Sequence, residues 1–129
     1  MEKKQQDRLR QLLALTNLKD LGVKNVDINF SGSGDSGDID EVEFRSWDDA
    51  YCTSTVIEQF ALKSIKIDEL FADLAWDIIS DKVDPIGDWV NNEGGYGSIR
   101  IDVEEQRYDL DYHQRTTDDY DWSDEILFI

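Results

Sequence analysis

Apolar and polar residues alternate along residues 26–44, which is the period of a half-buried β-strand. Glycines and serines in the middle of this segment favour a tight connection between two strands. Ile39 falls out of phase with the rest of the second strand, which predicts a β-bulge near Asp40. The segment is therefore predicted to form a β-hairpin with one apolar face, made of Val26, Ile28, Phe30, Val42 and Phe44.

A second hairpin is predicted over residues 99–113, with a turn at 104–106. One face carries Ile99, Ile101, Val103, Tyr108, Leu110 and Tyr112, and the other carries acidic residues. The last four residues, 126–129, are all apolar, so we expect them to add an edge strand or to contact a partner, and the edge strand is favoured. Residues 46–66 fit a third strand or an irregular segment.

Helical periodicity appears twice. Residues 2–21 predict an N-terminal helix that ends at Gly22, with an apolar stripe of Leu9, Leu12, Leu13 and Thr16 widened by Leu15 and Leu18. A second helix is predicted from an N-cap at Asp68 to about Lys82. Its apolar face comprises Leu70, Phe71, Leu74, Ala75, Ile78 and Ile79.

These elements predict one α+β domain over residues 1–129. An antiparallel sheet of about four strands, in the order hairpin, helix, hairpin, would pack on one main helix, with the N-terminal helix added. The chain divides into a basic helix, residues 1–22, and an acidic body, residues 23–129.

Charge is strongly unbalanced, with 30 acidic residues, 13 lysines and arginines and a net charge of −17. Up to residue 24 the net charge is +3, and the rest of the chain carries −20. Nucleic acid and anionic membranes are therefore poor direct partners for most of the surface. We expect the basic helix to lie against the acidic body of its own chain or of a second copy.

Acidic residues also form ordered rows. Glu69, Asp73, Asp77 and Asp81 follow one another at four-residue steps on the second helix, and each like-charged pair costs a helix roughly 0.2–0.5 kcal/mol. Further predicted binding acids lie on the second hairpin and in the tail, at Asp109, Asp111, Asp118, Asp119 and Asp121. Aromatic anchors are expected among them, at Tyr108, Tyr112, Tyr120 and Trp122.

Catalytic and cofactor chemistry finds little support in the sequence, and we expect neither an enzyme nor a cofactor. His113 and Cys52 are the only residues of their types, and no nucleophile motif surrounds a serine. The glycine-rich loop lacks the lysine of a phosphate-binding loop. Asp35, Asp38 and Asp40 could ligate Ca²⁺ or Mg²⁺, but turns rich in aspartate and glycine are common without metal, so no metal site is predicted.

Four segments carry a resemblance to a known family: FSGSGDSGDI at 30–39, DLAWDII at 73–79, NNEGGYGSIRIDV at 91–103 and LDYHQRTTDDYDWSDEIL at 110–127. Together they resemble a family of small acidic bacterial and phage proteins of unknown function. The resemblance spans residues 26–127 and leaves the basic helix as a variable addition. It implies a compact α+β domain and brings no activity and no functional residue.

The charge pattern predicts a nucleic-acid mimic. Carboxylate rows of this kind could occupy the Lys/Arg channel of a nuclease, a CRISPR effector or a DNA-binding regulator, as a phage anti-defence protein would. The alternatives are an interaction module or homodimer and, less favoured, a Ca²⁺- or Mg²⁺-binding domain. The single cysteine and the lack of a long apolar run predict a protein of the bacterial host cytoplasm without signal peptide or membrane span.

Overall fold

The computed structural model describes residues 3–33, 36–83, 94–114 and 119–126. Three helices and five strands are found there, and their order along the chain is that of an α+β protein. The helices are α1 (Lys3–Asp20), α2 (Thr53–Ala61) and α3 (Ile67–Lys82). The strands are β1 (Val23–Ser33), β2 (Ser36–Ser46), β3 (Gly95–Asp102), β4 (Arg107–Gln114) and β5 (Asp119–Glu125).

The five strands form one sheet in the order β2-β1-β3-β4-β5, and every neighbouring pair is antiparallel. Both predicted hairpins are confirmed, and the pairing of β1 with β3 joins them. The fifth strand was not counted in the predicted sheet of about four. It is an edge strand, but it begins at Asp119, earlier than the predicted 126–129, of which only Ile126 is described and is buried.

The first hairpin has the β-bulge predicted near Asp40. Asn29 lies opposite Glu41, and the next residue, Phe30, lies opposite Ile39. Asp40 is therefore the extra residue of a β-bulge, as the phase of Ile39 predicted. The bulge keeps the apolar residues before and after it in register with β1.

The hydrophobic core lies between one face of the sheet and the three helices. Alternate apolar residues of β1, β2, β3 and β4 point into it, and most of them are buried. These buried strand residues are Val26, Ile28, Phe30, Phe44, Ile99, Ile101, Tyr108, Leu110 and Tyr112. The opposite face of the sheet thus carries the alternate, polar positions.

The bounds predicted for α1 are confirmed within two residues, and Gly22 follows the helix at φ +85°. The predicted apolar stripe is confirmed at Leu12, Leu15 and Leu18, which lie in or against the core, and is wrong at Leu9, Leu13 and Thr16, which are exposed. Arg8 and Gln11 are buried, whereas Leu9 is 54% exposed and Leu13 is 63% exposed. Leu15 and Leu18 fill the core and set the rotation of the helix, which leaves Leu9 and Leu13 on its outer side.

The segment 46–66 contains α2, so the prediction of a strand or irregular run there is wrong. Val56 and Phe60 lie one helical turn apart and both enter the core. A spacing of four residues satisfies the strand and the helix period alike, which is why the pattern misled. Helix α3, which corresponds to the second predicted helix, starts at Ile67, and Lys66 rather than Asp68 takes the N-cap position. None of the described helices is long and apolar enough to cross a membrane.

Candidate functional site

The polar side of the sheet, which the helices leave uncovered, is the candidate site. Antiparallel pairing aligns its residues in rows that cross the strands. One row contains Glu43, Asp27, Arg100, Asp109 and Ser123, and the next contains Glu41, Asn29, Ser98, Asp111 and Asp121. We call these ten residues, together with Arg45, the open face.

The open face is concave and forms a groove of about 730 Å³. Five carboxylates and two guanidinium groups line it, with Tyr51 among the other lining residues. The carboxylates belong to Asp27, Glu41, Glu43, Asp109 and Asp111, and the guanidinium groups to Arg45 and Arg100. The groove therefore has an excess of negative charge.

Both arginines contact the same carboxylate. Arg100 Nε donates a hydrogen bond to Asp27 Oδ1 at 3.0 Å, and Arg45 Nη2 lies 3.4 Å from Asp27 Oδ2. The other four groove carboxylates form no ion pair with a lysine or arginine of the described residues. Their negative charge is thus available to a partner.

Neutral groups hold three of these four carboxylates in place. The Asn29 amide donates to Glu41 Oε1 at 2.7 Å, the Thr53 hydroxyl donates to Glu43 Oε2 at 2.6 Å, and the Ser123 hydroxyl donates to Asp109. Such hydrogen bonds fix the direction of a carboxylate without cancelling its charge. The sheet therefore presents a preorganised pattern of charge.

Asp111 and Asp121 lie directly opposite each other on β4 and β5. The hydrogen bond shared with Asp121 raises the pKa of Asp111, and burial and the charge of Asp121 act in the same direction. Like charges that face each other across strands destabilise a sheet. This part of the open face is therefore maintained at a cost to folding.

The predicted aromatic anchors do not lie on the open face. Tyr108 and Tyr112 are buried in the core, and Tyr120 and Trp122 pack against its edge on the helix side. Their strand positions alternate with those of the acids, so the two groups point to opposite faces.

Two other aromatic residues accompany the acids, and our reading of the sequence missed them. Tyr51 receives a hydrogen bond from Arg45 at 2.8 Å and is exposed at the groove. Tyr96 stacks on His113 at 5.1 Å on the open side of β3 and β4. Residues two apart on a strand point to the same face, so the position of Tyr96 two residues before Ser98 could have placed it on the polar face.

The acidic row of α3 belongs to the other side of the molecule. Asp77 pairs with Arg8 at 3.0 Å, and Asp81 approaches Lys82 at 3.5 Å. The row of Glu69, Asp73, Asp77 and Asp81 is therefore partly compensated. Glu69, at the start of the row, lines a pocket of about 320 Å³ together with Asp38, Asp40 and Glu41 of β2. Asp118 lies outside the described residues, and Asp119 lies opposite His113 in the sheet.

The basic helix lies against the acidic body of its own chain, one of the two arrangements we expected. Its contacts are the Arg8–Asp77 pair and, near its end, Lys19 Nζ at 4.0 Å from Glu104. Both pairs join cations of α1 to acids that are not part of the open face.

The structure also bears on two chemical alternatives, which are metal binding near Asp40 and nucleophilic chemistry at Cys52. No group of three metal-ligating side chains occurs among the described residues; Asp40 accepts a hydrogen bond from Ser31, Asp38 from the Ile39 amide, and Asp35 is outside the described part. Burial raises the pKa of the Cys52 thiol, which keeps it in the less nucleophilic protonated form.

A model of the protein family of unknown function DUF6878 matches residues 6–126. The chain belongs to this family. The match begins inside α1 and so includes most of the basic helix, which we had expected to be a variable addition outside residues 26–127. No curated protein and no solved structure matches the chain.

Proposed function

We propose that this DUF6878 protein is a non-enzymatic binding protein whose open face mimics nucleic acid and blocks a basic partner. The partner would be a nuclease, a CRISPR effector or a DNA-binding regulator, met in the cytoplasm of a bacterial host by a phage anti-defence protein. One observation carries the proposal: both groove arginines contact Asp27, which leaves four groove carboxylates, three of them oriented by neutral donors, without a cationic partner among the described residues.

The spacing of these carboxylates suits a surface that binds phosphates. Residues two apart on one strand, such as Asp109 and Asp111, are separated by about 6.6–6.8 Å, and neighbouring strands by about 4.7–4.9 Å. Each strand of duplex DNA places a phosphate about every 3.4 Å of axial rise, and further apart along its wound backbone. A groove that positions lysines and arginines for phosphates could therefore meet the open face.

The repulsion between Asp111 and Asp121 also supports a cationic partner. A lysine or arginine near the two carboxylates would stabilise both negative charges and lower the pKa of Asp111 from its raised value. Binding would thus remove part of the folding cost. Because the pKa of Asp111 would fall on binding, binding would also favour release of the proton from Asp111.

Competition with nucleic acid tests the proposal. A labelled DNA or RNA duplex is bound to a guide-loaded CRISPR effector, to a nuclease or to a DNA-binding regulator, and the purified protein is titrated in. We expect displacement of the duplex from one of these partners at low salt, with weaker displacement as salt rises. Failure to displace nucleic acid from any of the three classes at low salt would refute the mimic.

A further inference from the structure

The first half of α1 departs from the pattern of an ordinary amphipathic helix. Arg8, which is 8% exposed, and Gln11, which is fully buried, point toward the protein, while Leu9 and Leu13 are more than half exposed. Exposed leucines one turn apart on a helix form a stripe that water solvates poorly. Folding of the single chain leaves this stripe uncovered.

A groove of about 420 Å³ borders the stripe, between α1, α3 and the turn that joins α2 to α3. We call it the helix-side groove. Its apolar lining residues are Leu13, Ala14, Phe60, Ile65 and Leu70. Leucine side chains and a cavity that could receive leucine side chains are therefore neighbours on one surface.

We propose that the helix-side groove is a self-association site, at which two copies of the chain pair about a two-fold axis. In such an interface the same patch is used by both copies, so each patch must supply both the inserted side chains and the receiving cavity. The Leu9–Leu13 stripe and the adjoining groove meet this requirement. A single two-fold contact would cover both stripes.

The charges around the groove favour a second copy over a partner of one charge sign. Two cations, Arg10 and Lys66, line it together with three acids, Asp7, Glu69 and Asp73. A strongly acidic or strongly basic partner would meet like charge, whereas a two-fold copy can place each sign against the other. Helix α1 also carries five cations and two acids, which offset much of the acidic charge of α3 on this side and so reduce the repulsion between two chains of net charge −17.

The inference does not depend on the proposed function, because the helices and the open face lie on opposite sides of the sheet. Pairing through the helices would leave both open faces directed outward. A dimer would then present two acidic grooves, which would raise avidity for a partner with repeated basic sites.

Light scattering coupled to size-exclusion chromatography, performed on the full chain over a series of concentrations up to about 100 µM, tests the proposal. We expect a mass of twice the chain at the upper end. Leu13→Glu should weaken the dimer roughly a hundredfold, since a two-fold interface contains the change twice. The control is Leu62→Glu, because Leu62 is 83% exposed and does not line the groove, and this variant should dimerise like the parent.

Circular dichroism of both variants verifies that they are folded. A parent chain that stays monomeric throughout the series would overturn the proposal, and the helix-side groove would then be a candidate binding site for a different protein. A dimer that survives Leu13→Glu, or one that Leu62→Glu disrupts equally, would place the interface elsewhere and would also overturn it. The paired change Asp109→Asn with Asp111→Asn should leave the dimer intact, which separates this test from that of the open face.

Discussion

The ion pair between Arg8 and Asp77 should stabilise the protein in an asymmetric way. The Arg8 side chain is 10% exposed and the Asp77 side chain 31% exposed, so only the guanidinium has lost most of its water. Burial lowers the pKa of Arg8, and the charge of Asp77 opposes that effect. Asp77→Asn would leave a buried cation without its counter-ion.

The exposures bound the size of this effect. An exposed pair contributes about 0.2–1 kcal/mol, and removing one partner of a fully buried pair costs about 3–5 kcal/mol. Because this pair lies between the two limits, Asp77→Asn should lower the free energy of unfolding by roughly 2 kcal/mol. For a chain of this length, that corresponds to a fall in Tm of roughly 6–12 °C.

Removing the arginine instead of the aspartate should lower the free energy of unfolding only slightly. Arg8→Met removes a buried charge whose Nη1 atom has no hydrogen-bond partner in the described residues, and it leaves Asp77 with enough exposure to be hydrated. We expect its stability to stay within about 1 kcal/mol of the parent. Asp81→Asn is the control, because the ion pair of Asp81 among the described residues is a surface contact with the adjacent Lys82, so this change should alter stability by less than about 0.5 kcal/mol.

Urea unfolding followed by circular dichroism measures all three variants. The reasoning requires Asp77→Asn to be clearly less stable than both Arg8→Met and Asp81→Asn. If Arg8→Met were as unstable as Asp77→Asn, the pair would itself be a net source of stability. If Asp77→Asn matched the Asp81→Asn control, Arg8 would be better solvated than its burial implies.

Three further outcomes are expected. Asp111→Asn should stabilise the protein by roughly 0.2–1 kcal/mol near pH 7 by relieving repulsion from Asp121. Because the pKa of Asp111 is raised in the folded protein, the stability that this group contributes to the parent is present below its ordinary pKa of 3.8 and is lost as pH rises. The extra stability of Asp111→Asn, measured by urea unfolding, should therefore shrink as pH falls toward 3.8. A difference in stability that does not depend on pH would contradict this. Gly97→Ala should cost about 1–3 kcal/mol in thermal unfolding, because its methyl group would overlap the Asp111 carbonyl oxygen and lie 2.7 Å from Phe30 Cζ; an unchanged Tm would contradict the close packing. Iodoacetamide should alkylate Cys52 more slowly in the folded protein than in urea, because burial raises its pKa, and equal rates would refute that assignment.

The strands could be predicted because their period-2 patterns are long and agree with their turns. The hairpins of β1 with β2 and of β3 with β4 follow directly, and Ile39 even located the bulge. Strand β5 was placed too late in the chain because the apolar residues 126–129 were the clearest signal in the tail, although Tyr120 and Trp122 alternate with acidic residues just before them. The helix α2 was missed because it has only nine residues and few core contacts to define a period.

The candidate site could be predicted only in part. Alternation placed Asp109 and Asp111 on an exposed strand face, but which strands lie side by side depends on the pairing of β1 with β3, and no local pattern contains that. For the same reason the α3 row could not be assigned to the opposite side. The exposure of Leu9 and Leu13 on α1 was not predicted, because a hydrophobic pattern alone does not indicate that the helix buries Arg8 to pair with Asp77.

Matched charge removal tests the central claim most directly. Asp109→Asn with Asp111→Asn deletes two open-face charges, and Glu58→Gln with Glu105→Gln deletes two exposed charges from α2 and the β3–β4 turn. In the competition assay against a nuclease, CRISPR effector or regulator, the open-face variant should need at least about tenfold more protein to displace nucleic acid, and the control should behave like the parent. Equal weakening of both variants would show that net charge, and not the arrangement of carboxylates on the open face, determines binding.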